Sequence, residues 1–169
     1  MNRHCPDYYR ETSSEASVTA TKELITYIRS LPPTPACATQ PLVQPILTPR
    51  FAISCDSDLL GSLGTIALDD PSLRIQTHIS ENEAEIQFTA SLFPTCSSYT
   101  YVYDAHNLLR ENTVLAHGVH LGEDELELIG QRQAGISHCP TSNFNLSSGI
   151  ARVGEWLDRG IKVGRLPSP

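Results

Sequence analysis

Basic residues are scarce in this sequence: 12 Lys and Arg stand against 19 Asp and Glu, a formal charge of −7. No Lys/Arg stripe or cluster breaks that balance, which argues against nucleic acid and anionic membrane surfaces as partners. No apolar run approaches the length needed to span a bilayer, and Met1–Pro6 carries no apolar signal core. The five cysteines, Cys5, Cys37, Cys55, Cys96 and Cys139, are odd in number and contain no CxxC pair. A disulfide framework and a zinc knuckle are thereby disfavoured, and reduced thiols in a cytoplasmic protein are expected. No GxGxxG or GxxxxGK[ST] follows an apolar strand, which lowers the dinucleotide and nucleotide-phosphate readings. No internal repeat is visible.

What is present is an alternation of short apolar strands and amphipathic helices. Val18, Thr21, Ile25 and Ile28 have helical spacing within 12–31, with Ser13 or Ser14 as the cap and Pro32, Pro33 and Pro35 as the stop. The Pro/Thr/Ala stretch 32–41 reads as a loop inside a single domain spanning 1–169. Beyond it the pattern predicts strands at 46–55, 73–80, 113–119, 135–139 and from 161. It predicts helices at about 56–67, 82–93, 123–133 and 148–159, with a Tyr-rich loop over 94–104. On the 82–93 helix the expected apolar positions are Ala84, Phe88 and Leu92. A βαβα order of this kind implies parallel strands with right-handed crossovers: an open doubly wound α/β sheet or part of a (β/α)8 barrel.

Two strand ends carry the chemistry. Ile75–Ile79 delivers His78, and Glu81 follows three residues later; Thr113–Ala116 delivers His117. A histidine at one strand end is commonly just a hydrogen-bonded core or loop residue. Two such ends, one trailed by a carboxylate, suit a metal-dependent hydrolase. One imidazole binds a divalent ion, and the carboxylate moves a proton between water and a substrate nitrogen. Alternation along the strands puts Gln76 with His78 and Leu115 with His117, and barrel chemistry sits at the C-terminal mouth. Arg50 and Phe51 close the preceding strand, where a guanidinium can bond a carbonyl oxygen and a ring can stack on a planar substrate. His138 and Cys139 are expected to be structural, and Thr141–Asn145 either lines a pocket or caps the next helix. His4, His106 and His120 are expected at the surface.

Four segments taken together, Thr48-Pro49-Arg50-Phe51-Ala52-Ile53-Ser54-Cys55, Gln76-Thr77-His78-Ile79-Ser80-Glu81-Asn82, Val114-Leu115-Ala116-His117-Gly118 and His138-Cys139-Pro140-Thr141-Ser142-Asn143, resemble the amidohydrolase superfamily. The first two, with Arg3-His4-Cys5-Pro6-Asp7-Tyr8-Tyr9, are similar to its guanine deaminase branch. The resemblance covers nearly the whole chain, to about Gly164. It implies a zinc-dependent (β/α)8 hydrolase converting guanine to xanthine and ammonia in the cytoplasm, with a homodimer as one arrangement. On matching positions it implies His78 as a zinc ligand and Glu81 as the proton carrier. It also implies His117 as the group bonding the attacking hydroxide, and Arg50 and Phe51 as substrate contacts. The family pattern also uses a His-x-His on its first strand and an Asp on its eighth, and neither occurs here. The sequence therefore reads as strands four to eight of a partial TIM barrel, with residues 165–169 as an aberrant tail and weak zinc binding by this chain. Other deaminases or chlorohydrolases of the superfamily, and a non-catalytic half-barrel binding protein, are the alternatives.

Overall fold

The computed structural model describes residues 1–33 and 41–165. Cys37, most of the Pro-rich connection and residues 166–169 of the tail lie outside them. Five parallel strands form one sheet in the order of the chain: β1 (Ile46–Leu47), β2 (Arg74–Ile79), β3 (Thr113–His117), β4 (Gly135–His138) and β5 (Lys162–Arg165). Every neighbouring pair is parallel. The helices are α1 (Ser14–Ser30), α2 (Ser57–Asp69), α3 (Glu83–Leu92), α4 (Tyr99–Ala105), α5 (Glu123–Gln131), α6 (Pro140–Asn145) and α7 (Val153–Asp158). Of the two arrangements that the alternation leaves open, a strand order following the chain is that of the partial barrel and not of the doubly wound sheet.

Burial explains why one sheet face is covered. Along β2, Ile75, Thr77 and Ile79 are buried, whereas Arg74 and Gln76 are exposed and His78 is half-buried. Thr113, Leu115 and His117 are the buried set on β3. The period of two sorts residues between a helix-packed face and an open face that carries Gln76, Val114 and Ala116. The helix-packed side joins Leu59, Leu60, Leu63 and Ala67 of α2 to Ile75, Leu115, Leu126, Ile129, Ile136 and Trp156 in one core. Each of four helices starts on a side-chain cap: Ser13 on Ala16 N, Asp56 on Leu59 N, Asn82 on Glu85 N and Ser98 on Tyr101 N. Each such bond satisfies a backbone donor that has no partner inside the helix.

Several expected elements are corrected. The first strand stops at Leu47 rather than running to Cys55, because Pro49 has no ladder donor, and Ala52–Ser54 form a 3-10 turn. Residues 99–104 of the expected Tyr-rich loop belong to helix α4, with Tyr99, Val102 and Tyr103 buried. Thr141–Asn145 lie within α6, which begins at Pro140, a favoured residue at a helix start. The last helix begins only at Val153, since Ser147 (φ 53) and Gly149 (φ 122) leave helical geometry and Ile150 is exposed. On α3 the buried positions are Glu85 and Thr89, and Ala84 and Phe88 face outward. Glu85 can be buried because its carboxylate accepts from the Tyr99 hydroxyl (2.9 Å) and from Glu81 N (2.9 Å).

Cys55 and Cys139 are buried, Cys5 and Cys96 half-buried, and all four are free thiols. No helix among the described residues is long and apolar enough to cross a membrane.

Candidate active site

The C-terminal ends of β1, β2 and β3 meet at one rim. The segment after β1 stays extended and bonds to the end of β2. The Arg50 carbonyl accepts from His78 N (3.0 Å) and from His78 Nδ1 (2.7 Å). A carbonyl only accepts, so Nδ1 carries the proton and Nε2 of the neutral ring keeps its lone pair. Backbone bonding of this kind orients an imidazole for ligation through its other nitrogen. The Arg50 guanidinium lies 5.5 Å from the Phe51 ring centre, and Phe51 meets His78 edge-on at 6.2 Å.

His117 reaches the same place by a route that alternation does not foresee. Its register partner is Ile79, on the helix-packed face, while His78 pairs with Ala116. His117 has φ 75 and Gly118 φ 62, so the chain turns left-handed as β3 ends. The His117 ring thereby stacks on His78, with centroids 5.2 Å apart. Gly118 favours this turn: a side chain there would be strained at φ 62, and its Cβ, 2.9 Å from Leu121 Cδ1, would make that side chain shift. Ser80 (φ 47) turns the end of β2 in the same sense, and its carbonyl accepts from His120 N (3.1 Å).

Glu81 comes out of that turn. Its Oε1 lies 3.4 Å from His117 Nδ1 and 3.5 Å from the hydroxyls of both Ser142 and Ser148. Glu85 holds the Glu81 backbone N–H, which fixes the turn that presents the carboxylate. Arg50, Phe51, His78, Glu81, Asn82 and Phe88 line a cleft of about 360 Å³. The structure thus brings four sequence-derived candidates to one cleft, with His117 stacked beneath His78 and against Glu81. Arg50 is exposed, His117 buried.

Other residues emerge only in three dimensions. Asn143 Oδ1 lies 2.9 Å from His117 Nδ1. The sequence offers Thr141–Asn145 as either a pocket lining or a helix cap, without pairing Asn143 with His117. Tyr103 is fully buried; its hydroxyl donates to His78 O (2.7 Å) and accepts from Thr77 Oγ1 (2.8 Å) and Ala52 N (3.1 Å). Burial pushes its phenol well above the ordinary range, so it stays protonated. Tyr103→Phe leaves the buried Ala52 N–H without that acceptor and is expected to cost about 1–3 kcal/mol. Urea unfolding would measure the loss, and equal stability would remove Tyr103 from the account of how β2 is held. His106 and His120 are half-buried rather than on the surface. His106 Nδ1 donates to Val102 O (2.7 Å) and its Nε2 meets Ser57 Oγ (2.8 Å), while His120 Nε2 donates to Ser148 O (2.7 Å). His138 packs edge-on to Trp156. The Cys139 thiol donates to Ser137 O (3.2 Å), and burial raises its pKa.

A sequence-family model for the amidohydrolase family matches residues 11–165. The chain belongs to the amidohydrolase family. Its relatives include a probable guanine deaminase of Schizosaccharomyces pombe, 50% identical over 164 residues, which are 97% of this chain and 30% of that protein. The guanine deaminase of Dictyostelium discoideum is 48% identical over the same share of this chain and 34% of its own. A crystal structure of guanine deaminase from C. acetobutylicum with bound guanine in the active site superposes with a TM-score of 0.88 at 37% identity. That match covers 98% of this chain and 37% of the other. The chain therefore spans about a third of the length of the relatives it matches.

The family is generally metal-dependent, which raises the question of whether these residues can hold a metal. His78 fits as one donor, since its Nδ1 is already bonded to backbone. No group of three or more His, Cys, Asp or Glu side chains among the described residues could hold an ion. A tetrahedral zinc site needs three or four protein donors, so the described residues do not form such a site by themselves.

Proposed function

We propose that this chain is the substrate-reading and proton-carrying part of a guanine deaminase. The observation that carries the reading is the single cleft that joins Arg50 and Phe51 to Glu81 and His78, with His117 against both. The names of the relatives and the guanine bound in the similar crystal structure support the choice of substrate. Hydrolytic deamination adds water to the ring carbon bearing the amino group and releases that group as ammonia. Glu81 accepts one proton of the attacking water and passes it to the adjacent ring nitrogen; it then takes the remaining proton from the oxygen now on the ring carbon and gives it to the departing amine, so that the C–N bond breaks as the carbonyl forms. His117 bonds the incoming oxygen. Arg50 donates to the purine carbonyl, and Phe51 borders the ring. His78 is the donor this chain offers to zinc. A cytoplasmic location belongs to the same reading, and fractionation of tagged protein would check it.

The test restores the remainder of the barrel. Residues 1–164 replace the matching third of the S. pombe relative, and xanthine and ammonia are measured with guanine, adenine and a triazine as substrates. Turnover of guanine alone supports the proposal; a folded, zinc-loaded chimera that turns over only another substrate overturns it. In that chimera Arg50→Ala is expected to raise KM for guanine about 10–100-fold with kcat little changed. A charged hydrogen bond present before and during reaction contributes about 1.5–3 kcal/mol to both states. An unchanged KM would take Arg50 out of the purine contact.

A further inference from the structure

We infer that Asn143 is the positioning residue for His117: its amide oxygen holds Nδ1–H and so keeps Nε2 as the ring's hydrogen-bond acceptor. His117 and Asn143 are 5% and 2% exposed, and His117 Nδ1 lies 2.9 Å from Asn143 Oδ1. A second oxygen, Glu81 Oε1, lies 3.4 Å from the same nitrogen. Two acceptors converge on Nδ1, so a lone pair there would face both of them, whereas a proton satisfies both. Turning the Asn143 amide over would aim its N–H at that proton. The Asn143 Nδ2 is buried with no hydrogen-bond partner among the described residues. The residue is thus held in place through its oxygen, not through a fully bonded amide.

The backbone around Asn143 leaves the side chain little freedom. Asn143 N donates to Cys139 O (3.0 Å), and Asn143 O accepts from Ser148 N (2.8 Å). Ser148 in turn has its carbonyl bonded by His120 and its hydroxyl near Glu81. The short helix α6 and the turn after it therefore hold both partners of the pair, Glu81 through Ser142 and Ser148 and His117 through Asn143. The geometry stands without the deaminase reading. Only its consequence rests on that reading: with Nε2 as acceptor, His117 can take a hydrogen bond from the attacking water.

The experiment reads nitrogen chemical shifts. This chain, labelled with 15N-histidine, is observed by long-range 1H–15N correlation at about pH 8.5, above the ordinary histidine range near 6.5. The expected spectrum assigns His117 a protonated Nδ1 and an unprotonated Nε2. Asn143→Asp, which keeps an oxygen in place, is expected to keep Nδ1 protonated. Asn143→Leu and Asn143→Ala leave only Glu81 Oε1, 3.4 Å away, to accept from Nδ1, and are expected to bring up a measurable Nε2–H population. Two variants guard against one failing to fold, and the parent spectrum decides by itself if it shows Nε2–H. That result, or a folded Asn143→Leu or Asn143→Ala protein that shows Nδ1–H alone, overturns the assignment. The readout needs no turnover, so its failure is separate from failure of the deaminase reading, which the chimera tests.

Discussion

Glu81→Gln, placed in the restored barrel, is expected to lower guanine turnover about 10²–10⁴-fold while guanine still binds. The amide matches the carboxylate in size and still offers one oxygen to Ser142 and Ser148, each 3.5 Å from Oε1 in the parent. It cannot take a proton from water or return one to a ring nitrogen. The side chain is 16% exposed and sits at the cleft wall, so substitution disturbs little packing. The loss belongs in kcat, because a proton carrier acts in the transition state and adds little to ground-state binding. Initial rates of xanthine formation, with calorimetry of guanine binding, measure the two quantities separately. A variant within threefold of the parental kcat would end the proton-carrier assignment.

The second large effect is on stability. Trp156, the only tryptophan, is completely buried and belongs to the main core. Its ring lies 3.5 Å from where a Cβ on Gly118 would sit, and edge-on to His138 at 6.4 Å between centroids. It therefore packs beneath the left-handed turn that presents His117. Trp156→Ala removes a large, fully buried ring from this core. The expected cost is about 3–5 kcal/mol, or a Tm lower by roughly 6–20 °C for a chain of this size. Thermal unfolding followed by circular dichroism measures it. A Tm within 3 °C of the parent would mean that the β3 and β4 ends do not depend on this packing.

These two expectations come from different levels of information. Glu81, His78, Arg50 and Phe51 are legible as candidates because strand-end position and residue type follow from local pattern. The parallel direction of the five strands follows from the same pattern, whereas their chain order, which separates a barrel from a doubly wound sheet, is seen only in the structure. Of the apolar positions expected on α3, Leu92 packs against the core, while Ala84 and Phe88 do not turn inward. The structure instead buries Glu85, bonded to Tyr99 and Glu81, and leaves Phe88 at the cleft. Helix α4 was hidden among polar and aromatic residues whose helical state depends on tertiary burial of Tyr99, Val102 and Tyr103.

The sequence by itself determined the alternating parallel architecture, the two histidine-bearing strand ends and the carboxylate beside the first of them. Hydrophobic period, Pro and cap residues act locally and can be read one segment at a time. Tertiary structure alone decided how His117 joins His78. Regular alternation assigns it to the opposite face, and only the left-handed turn at His117 and Gly118, packed over Trp156, brings the rings together. It alone brought Asn143, 26 residues further along, onto the His117 nitrogen. Such a contact depends on the meeting of β3 with α6, and no local spacing encodes where two separate elements will touch.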